Sequence, residues 1–440
     1  MNTCWLIAWI PIAVFALVQS ALMVLHLYEH HRFARGRIAK PREIENPRRV
    51  AVFAPCKGLD LELEDNLRPL LEQDYPDYQV TFIVQGPDDP ACGAIRRLID
   101  EHPRVAARLL VAGNAVDTGQ KVHNLLVATR QLDREVEILA FVDSDARPRR
   151  DWLRQLVQRL DRPGVGAATG YRWFVPVRAR QANYLLHNIN SCVAGMLGPG
   201  GHHLVWGGSW AIRRDVFEAM GLGEAWRRTL SDDLVAARLL HENQMFVEFE
   251  PACMLASPLD HTWRQTLTFL RRQYMLARVY VPRWWLLGFT GTSVAMLAFW
   301  GGLVLTAGGL VSGASWTGIP AMISLAYYVL SIVHSLMRQR LATLYASDHA
   351  AAVSAAVRWG AWIGPIAGLA NWLVMVSSLV GRRLTWRGIT YRLGRRGRVR
   401  LVRRLEAAAK TGEPLVMRRA AVSPPCPKAP RLLAESSTFF

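Results

Sequence analysis

Hydrophobic residues follow two patterns along this chain: long apolar runs near its ends, and short apolar runs in a more polar middle. Residues 4–27 contain no Asp, Glu, Lys or Arg and have about the length of roughly 20 residues that crosses a bilayer. They predict an N-terminal transmembrane helix. A cleaved signal peptide is the alternative, but no Lys or Arg precedes the run, which is longer than a typical signal-peptide core.

Three further apolar runs, at 286–311, 319–337 and 360–380, predict a C-terminal transmembrane region over 286–380. Basic residues cluster just after the first run of the chain, at Arg32, Arg35, Arg37, Lys40 and Arg42. By the positive-inside rule, the chain after residue 30 then faces the cytoplasm. We therefore expect a multi-pass membrane protein with its polar middle on the cytoplasmic face.

The number of C-terminal crossings conflicts with the charge of the segment that follows them. Three crossings from a cytoplasmic middle would leave an arginine-rich segment outside, against the positive-inside rule. Either residues 341–357 also cross, or one run, such as that at Gly364–Pro365, is re-entrant or lies in the interface. The region is expected to contain three or four segments.

The polar middle, residues 49–283, alternates between short apolar runs and leucines at helical spacing. Strands are predicted at 50–54, 80–84, 107–111 and 138–142. Such alternation is typical of an α/β domain with a parallel sheet, in which ligands bind beyond the carboxyl ends of the strands. The residues that follow each strand are therefore the first candidates for a site.

Charge is concentrated at the C-terminal end of the chain. The formal net charge is +18, and fifteen Lys or Arg face only Glu406 and Glu413 between Arg382 and Arg431. Beside a membrane span, this pattern indicates contact with anionic lipid. Zinc-finger spacing and RNA-binding aromatic signatures are missing from the sequence, so no nucleic-acid partner is expected. We predict a basic cytoplasmic juxtamembrane segment over 381–412 and a disordered tail over 413–440.

Asp143 and Asp145 follow the fourth predicted strand directly. Two carboxylates at one strand end repel each other, and we find no basic partner for them nearby in the sequence. A divalent cation, Mg²⁺ or Mn²⁺, removes this conflict and also bridges the oxygens of a diphosphate. Capping of the helix that follows is the alternative explanation.

Three further groups are candidates for the same site. Lys121 and Asn124 lie at the start of the third helix pattern, where the lysine can meet a phosphate or remain an exposed cation. Asp232 and Asp233 open a later helix, where an acid either complements the helix dipole or acts as a general base. The aromatic pair Trp206 and Trp210 flanks two glycines and suits a sugar site.

Several separated motifs resemble family-2 glycosyltransferases, in particular the ceramide glucosyltransferase branch and the related hopanoid-associated transferases. The motifs are PCKGLD at 55–60, QDYPDYQV at 73–80, VQGPDDPA at 84–91, KVHNL at 121–125, VDSD at 142–145, SDD at 231–233 and LTWRGITYRL at 384–393. The resemblance implies a GT-A (Rossmann-like) catalytic domain, a nucleotide-sugar donor, a divalent cation and inversion at the anomeric carbon.

Carried over by position, the resemblance assigns roles to individual residues. It implies that Asp89 and Asp143 bind the donor nucleotide, that Asp145 is the metal and diphosphate ligand, and that Asp233 is the base. Lys57, in the first motif, is a further donor-binding candidate.

The chain departs from the family pattern at two places. The second aspartate motif reads D-S-D where the ceramide enzymes resemble D-S-G, which weakens the case for ceramide as the acceptor. The Q/R-x-x-R-W element is degraded, and Arg271, Arg272 and Tyr274 are its expected replacements.

After the last apolar run, Trp386, Arg387, Tyr391 and Arg392 match the family's C-terminal W-R-x-x-x-Y-R pattern. They are predicted to form a segment that closes over the active site. A purely electrostatic lipid anchor is the alternative.

These features together predict an inverting glycosyltransferase that moves a sugar from a nucleotide-sugar, most simply a UDP-sugar, to a hydroxyl of a membrane lipid such as ceramide or a hopanoid. A processive polysaccharide synthase of the same superfamily is the main alternative. A membrane scaffold that keeps the fold without activity is another.

Overall fold

The computed structural model describes residues 3–39 and 46–404, and its central part is an α/β domain. The strands are β1 (Val50–Pro55), β2 (Tyr78–Val84), β3 (Ala106–Val111), β4 (Ile138–Val142), β5 (Val165–Pro176), β6 (Ser209–Arg213) and β7 (Phe246–Leu259). The helices of this part are α2 (Leu63–Leu67), α3 (Ala91–Glu101), α4 (Gln120–Thr129), α5 (Trp152–Val157), α6 (Gln181–Gly195), α7 (Arg214–Ala219), α8 (Leu222–Ala225), α9 (Asp232–Glu242) and α10 (Trp263–Tyr280).

The seven strands form one sheet in the order β3-β2-β1-β4-β6-β5-β7. The four strands predicted from the sequence are present, and they pair in parallel. The prediction of a wholly parallel sheet is wrong, because β6 runs antiparallel to both β4 and β5. This reversal brings β5, which the sequence did not predict, within two strands of the end of β4, where Asp143 begins the candidate site.

Apolar side chains on both faces of the sheet form its core. Phe53 and Phe141 point to one face, and their neighbours Val52 and Ala140 point to the other. Trp210 stacks on Phe141 with ring centroids 4.4 Å apart and is fully buried. Its predicted role in a sugar site is therefore wrong, since its ring fills the core.

The N-terminal helix α1 spans Thr3–Ile38, beyond the predicted end at residue 27. Leu27, His30 and Ala34 are buried, so the second half of α1 packs against protein. The imidazole Nε2 of His30 lies 2.8 Å from the hydroxyl of Tyr345. Arg32, Arg35 and Arg37 lie within the helix, in agreement with the good helix-forming propensity of Arg.

Three long helices follow the α/β domain: α11 (Pro282–Ser312), α12 (Gly318–Tyr345) and α13 (Ala350–Ser377). With α1, they are the four described helices long and apolar enough to cross a membrane. Residues 341–357 do not form a separate helix, because a short turn at Ser347–His349 divides them between α12 and α13.

Both ends of α13 lie against the α/β domain. Near its start, Val353 and Val357 pack in the same cluster as Trp173 of β5. Just after its end, the carbonyl of Val380 accepts a hydrogen bond from Arg271 of α10 at 2.7 Å. By contrast, α1, α11 and α12 extend to a remote cluster that includes Leu6, Trp9, Leu305 and Ile323.

The basic segment after α13 folds into a small antiparallel sheet. Its strands are β8 (Arg383–Trp386), β9 (Ile389–Leu393) and β10 (Val399–Arg404), in the order β10-β9-β8. Tyr391 and Leu393 belong to the core of the α/β domain. Residues 381–404 thus include a structured sheet that packs on the α/β domain. The rest of the predicted juxtamembrane segment and the predicted disordered tail lie outside the described residues.

Candidate active site

A cavity of about 2230 Å³ extends from the carboxyl ends of β1 and β4 into the bundle of long helices. Charged residues line one end, among them Lys57, Lys121, Asp143, Asp145, Asp232 and Asp233. At the other end it is lined by residues of α1, α11, α12 and α13, including Phe15, Met23, Met296, Tyr327 and Pro365. The sequence-predicted acids are therefore gathered at one end of a cavity whose other end is walled by apolar helices.

Asp143 and Asp145 contact two cations of the protein. One oxygen of Asp143 lies 2.8 Å from Nζ of Lys121, and the other lies 3.5 Å from the guanidinium of Arg172. Arg172 also reaches Asp145 at 3.3 Å. The sequence shows no basic partner close to this aspartate pair, but the fold supplies one, because β5 brings Arg172 to it from further along the chain.

Arg172 is a site residue that the sequence analysis missed. Its guanidinium lies 4.7 Å from the ring centroid of Trp206 and 5.2 Å from that of Phe174, a cation–π arrangement on both sides. These rings fix the guanidinium beside the two aspartates. Arg172 is the charged residue of β5, and this is the feature that could have identified it from the sequence. The feature is recognisable only once the strand itself has been predicted. Trp206, a predicted site residue, does line the cavity.

Lys121 connects the aspartates after β4 with those that open α9. Its Nζ lies 3.3 Å from Asp232 and donates to the carbonyl of Gly207 at 3.1 Å. Burial alone would lower the pKa of Lys121, but Asp143, Asp232 and Asp233 together raise it, so the ammonium stays charged.

The adjacent acids Asp232 and Asp233 have different environments. Asp233 is half-buried; its Oδ2 accepts from the Gly207 N–H at 2.9 Å, and its Oδ1 accepts from the hydroxyl of Ser231 at 2.5 Å. Asp232 is 2% exposed, and its Oδ2 has no hydrogen-bond partner among the described residues. Burial, opposed by Lys121, raises the pKa of Asp232 to about 7. The two carboxylates therefore differ in accessibility and in hydrogen bonding.

Gly207 sits where these charges meet. A Cβ at this position would lie 2.8 Å from Nζ of Lys121, 3.0 Å from Asp233 and 3.2 Å from Asp232. Any side chain here would separate the lysine from the acids. The glycine next to Trp206 thus allows the close packing of these charges.

Two predicted donor-binding residues shape the loops at the strand ends. Asp89 accepts hydrogen bonds from the backbone N–H groups of Gly58 at 2.8 Å and Ala91 at 3.0 Å, so it ties the loop after β1 to the start of α3. Lys57 donates to the side chain of Gln85 at 3.0 Å and lines the cavity. Asp89 is not among the residues that line the cavity. Its predicted contact with the nucleotide stays a prediction.

Asn124 is buried on α4 and lines the cavity. Its Oδ1 accepts from the side chain of Gln120 at 2.8 Å. Gln120 in turn donates its backbone N–H to the hydroxyl of Tyr391 at 3.1 Å. This chain of hydrogen bonds connects the start of α4 to the C-terminal sheet.

The C-terminal sheet covers the charged end of the cavity. Arg387 donates to the carbonyl of Lys57 at 2.6 Å and to Asp60 at 2.7 Å. Trp386 lies beneath the guanidinium of Arg272, 5.1 Å from ring centroid to carbon. Arg392 is different, because it alternates with the inward-facing Tyr391 and is exposed on the outer face of β9. Arg392 does not line the cavity, so the structure does not support its predicted part in closing the site.

The three predicted residues of α10 point in different directions. Arg271 holds the chain after α13 through Val380, as described above. Arg272 lines the cavity, and burial together with the positive charges of Arg172 and Arg387 lowers its pKa to about 10. Tyr274 donates its hydroxyl to Asn371 of α13 and so connects α10 to the long helices. Of the three, Arg272 is the one whose charge faces the aspartates.

Comparison with known proteins places this geometry in a family. The model of glycosyl transferase family 21 matches residues 10–399, most of the chain. The chain belongs to glycosyl transferase family 21. That membership agrees with the resemblance found in the sequence motifs, including its ceramide glucosyltransferase branch.

Several ceramide glucosyltransferases are similar to parts of this family-21 chain. Ceramide glucosyltransferase 1 of Caenorhabditis elegans is 32% identical over 81 residues, which are 18% of this chain and 17% of that protein. The ceramide glucosyltransferase of Komagataella phaffii is 34% identical over 76 residues, 17% of this chain and 14% of that protein. These matches span less than a fifth of either relative.

Among solved structures, the mannosyltransferase PcManGT of Pyrobaculum calidifontis, in complex with GDP-Man and Mn²⁺, is 17% identical with a TM-score of 0.45. The match covers 84% of this chain and 97% of that one. Independently of that match, the predicted α/β class is confirmed, because a domain with a seven-stranded sheet lies between an N-terminal apolar helix and C-terminal apolar helices.

Proposed function

We propose that this family-21 protein is an inverting glycosyltransferase that moves a sugar from a UDP-sugar to a hydroxyl of a membrane lipid such as ceramide or a hopanoid. The observation that carries the proposal is the single cavity that joins the acids after β4 and at α9 to the apolar helices. A water-soluble donor and a lipid acceptor need such a cavity, because the donor enters from the aqueous phase and the acceptor from the lipid bilayer.

The charged end of the cavity is the proposed donor site. Lys57, Lys121 and Arg172 supply positive charge for a diphosphate, and Asp143 and Asp145 supply hard oxygen ligands for Mg²⁺ or Mn²⁺. No group of three or more His, Cys, Asp or Glu within residues 3–39 and 46–404 is arranged to hold a metal. Two carboxylates nevertheless fit such an ion, since Mg²⁺ is commonly bound by one or two carboxylates together with substrate phosphates. When bound, the ion would stabilise negative charge on the leaving diphosphate.

Asp233 is the proposed general base toward the acceptor hydroxyl. It is the more accessible of the adjacent pair, and the N–H of Gly207 and the hydroxyl of Ser231 fix the orientation of its carboxylate. A carboxylate that takes the proton of the attacking alcohol is sufficient for an inverting transfer. Asp232 is the second candidate, because it has an unpartnered oxygen within the same charged group.

We also propose that α13 does not cross the membrane. Both of its ends contact the α/β domain. If α13 crossed the bilayer, its two ends would lie on opposite sides, and only one of them could contact this domain. Pro365 and Gly364 lie near its middle, where a re-entrant or interfacial helix can bend. Three crossings by α1, α11 and α12 then leave the basic C-terminal sheet on the same face as the catalytic domain, as the positive-inside rule requires.

Cysteine labelling tests this topology. Cysteines introduced at the exposed positions Gly36 and Arg395 are expected to resist a membrane-impermeant maleimide in intact cells and to react after permeabilisation. Modification of either position in intact cells would contradict the cytoplasmic placement.

A panel of UDP-sugars tests the proposed activity. Membranes that contain the protein are incubated with each radiolabelled donor, and the lipid extract is separated from the water-soluble fraction. We expect one donor to label a lipid band, and Asp143→Asn to remove that band. Label in a water-soluble or insoluble polymer instead would favour the polysaccharide synthase alternative. Lack of transfer from any donor would favour a scaffold.

A further inference from the structure

Helix α12 presents a polar face to the cavity, although the helix is long and apolar enough to cross a membrane. The face consists of Tyr327, Ser331, His334, Ser335 and Arg338, all of which line the cavity. Their spacing of three or four residues places them on one side of the helix. Polar and charged residues inside membrane helices are costly and usually mark a path for a ligand or ion.

Arg338 is the charged member of this face, and it has no acidic partner. Its side chain is 9% exposed, and its guanidinium donates to the hydroxyl of Ser335 at 2.9 Å. No Asp or Glu of the described part of the chain lies within ion-pair distance of it. Elsewhere in this protein, the buried Arg159 is paired with Glu250 at 2.5 Å. A buried charge without a partner is destabilising, as is a buried ion pair that has lost one of its partners.

The groups around Arg338 do not supply the missing charge. Its stem packs beside Gly195, where a Cβ would lie 3.9 Å from Cδ of the arginine. The Nε2 of His334 lies 2.8 Å from the carbonyl of Ser20, and Nδ1 of His187 lies 2.7 Å from the carbonyl of Phe174. These neighbours are engaged with backbone oxygens, and no carboxylate stands among them. The guanidinium, which lines the cavity, is therefore available to an oxygen ligand that enters it.

We propose that Arg338 binds the phosphate of a membrane phospholipid that enters the cavity between the long helices. Guanidinium groups match phosphate oxygens in bidentate hydrogen bonds, which favours phosphate over an uncharged hydroxyl. Arg338 lies seven residues before the end of α12 at Tyr345, about 10 Å along the helix axis at about 1.5 Å per residue. Arg338 therefore lies toward the end of α12 that contacts the α/β domain, which the proposed topology places at the cytoplasmic side of the bilayer.

The wall beside Arg338 favours a lipid rather than a soluble phosphate. Apolar side chains of α1, such as Phe15 and Met23, line the same part of the cavity as the polar face of α12. This phosphate subsite differs from the proposed donor site, where Lys121 and Arg172 already have carboxylate partners. It does not depend on which sugar is transferred or on whether transfer occurs.

Thermal unfolding of the purified protein with a matched pair of lipids tests the proposal. Phosphatidate and diacylglycerol with the same acyl chains differ only in the phosphate. We expect mixed micelles that contain phosphatidate, but not those with diacylglycerol, to raise the unfolding midpoint and to saturate. Inorganic phosphate at the same concentration is expected to have no effect. An equal effect of inorganic phosphate would overturn the lipid source, and an equal effect of diacylglycerol would overturn the phosphate contact.

Two arginine variants on the same helix locate the contact. Arg338→Met is expected to weaken phosphatidate binding at least tenfold, whereas Arg340→Met is the control, because Arg340 is exposed and its guanidinium contacts Met337. Arg338→Lys keeps the charge without the planar fork and serves if the methionine variant does not fold; it is expected to weaken binding at least threefold. Unchanged phosphatidate affinity in a folded Arg338 variant would refute the proposal, as would an equal loss in the Arg340 variant.

Discussion

The contact between the C-terminal sheet and the loop after β1 gives the sharpest mutational prediction. Arg387 donates two hydrogen bonds across this contact, to the carbonyl of Lys57 and to the carboxylate of Asp60. The Asp60 side chain is 14% exposed, so the ion pair is shielded from solvent on its acidic side. Replacing Arg387 with Lys keeps the charge but removes the fork that makes both bonds at once.

The size of the effect follows from the bond that is lost. A hydrogen bond to a charged group contributes about 1.5–3 kcal/mol, and about 1.4 kcal/mol in a barrier corresponds to a tenfold change in rate. If the sheet must close over the donor for transfer to occur, Arg387→Lys should lower kcat/KM for the donor about 10- to 100-fold. Arg392→Lys is the matched control, because Arg392 is exposed on the face of β9 opposite to that of the buried Tyr391.

The assay is release of UDP by detergent-solubilised protein at several donor concentrations, with anchoring checked by sedimentation of membranes. We expect both variants to stay membrane-bound, Arg387→Lys to lose activity, and Arg392→Lys to keep it. Equal, near-normal activity in both variants would refute the closing role of the sheet. Loss of activity only when several arginines are neutralised together would favour the electrostatic anchor.

Three other changes test the charged end of the cavity. Asp233→Asn should lower kcat by about 10²–10⁴, the usual contribution of a general base, with UDP binding unchanged; if Asp232→Asn has this effect instead, the base is the adjacent residue. Gly207→Ala should lower kcat at least tenfold, about 1.4 kcal/mol, because its Cβ would lie 2.8 Å from Nζ of Lys121; normal kinetics would show that the charges tolerate separation. Asp145→Asn should abolish metal-dependent UDP binding measured by calorimetry, and unchanged turnover of the native protein in EDTA would contradict the role of the cation.

The first half of the sheet could be predicted from the sequence, whereas the second half could not. The strands β1, β2 and β4 are largely buried runs of β-branched and apolar residues, and each is followed by polar residues. The edge strand β3 is more exposed, but its run of apolar residues is still recognisable. The long strand β5 contains Gly166 and Gly170 and an arginine, so its composition resembles a loop. Gly170 is required for packing, since a Cβ there would lie 2.0 Å from the carbonyl oxygen of Cys253.

Because β5 was not predicted, one basic residue of the candidate site was not identified from the sequence. The contact of Arg172 with Asp143 and Asp145 depends on the antiparallel strand β6, which lies between β4 and β5. The spacing of apolar residues within each strand does not predict this strand order. For the same reason Trp210 was assigned to a sugar site, although its ring is stacked in the core. The order of the motifs was sufficient to predict that the acids lie in one site. Which basic residues contact these acids depends on tertiary packing.

The membrane region shows what charge and hydropathy each predict. Hydropathy predicted apolar runs long enough to cross a bilayer. The positive charge after residue 381 contradicted three full crossings by the C-terminal runs alone. The geometry of α13 offers a physical solution, because a helix that begins and ends at the catalytic domain changes no side of the membrane. Hydropathy alone does not distinguish such a helix from one that crosses.

Mass spectrometry of the lipid product tests the central proposal most directly. The purified protein in lipid nanodiscs is given a divalent cation, candidate lipid acceptors and the UDP-sugar selected from the panel, with its sugar carbon-13 labelled. Our account predicts a lipid heavier by a single labelled sugar residue, formed by the wild type and not by Asp143→Asn. A labelled polymer, free labelled sugar alone, or the same lipid product from both proteins would contradict it.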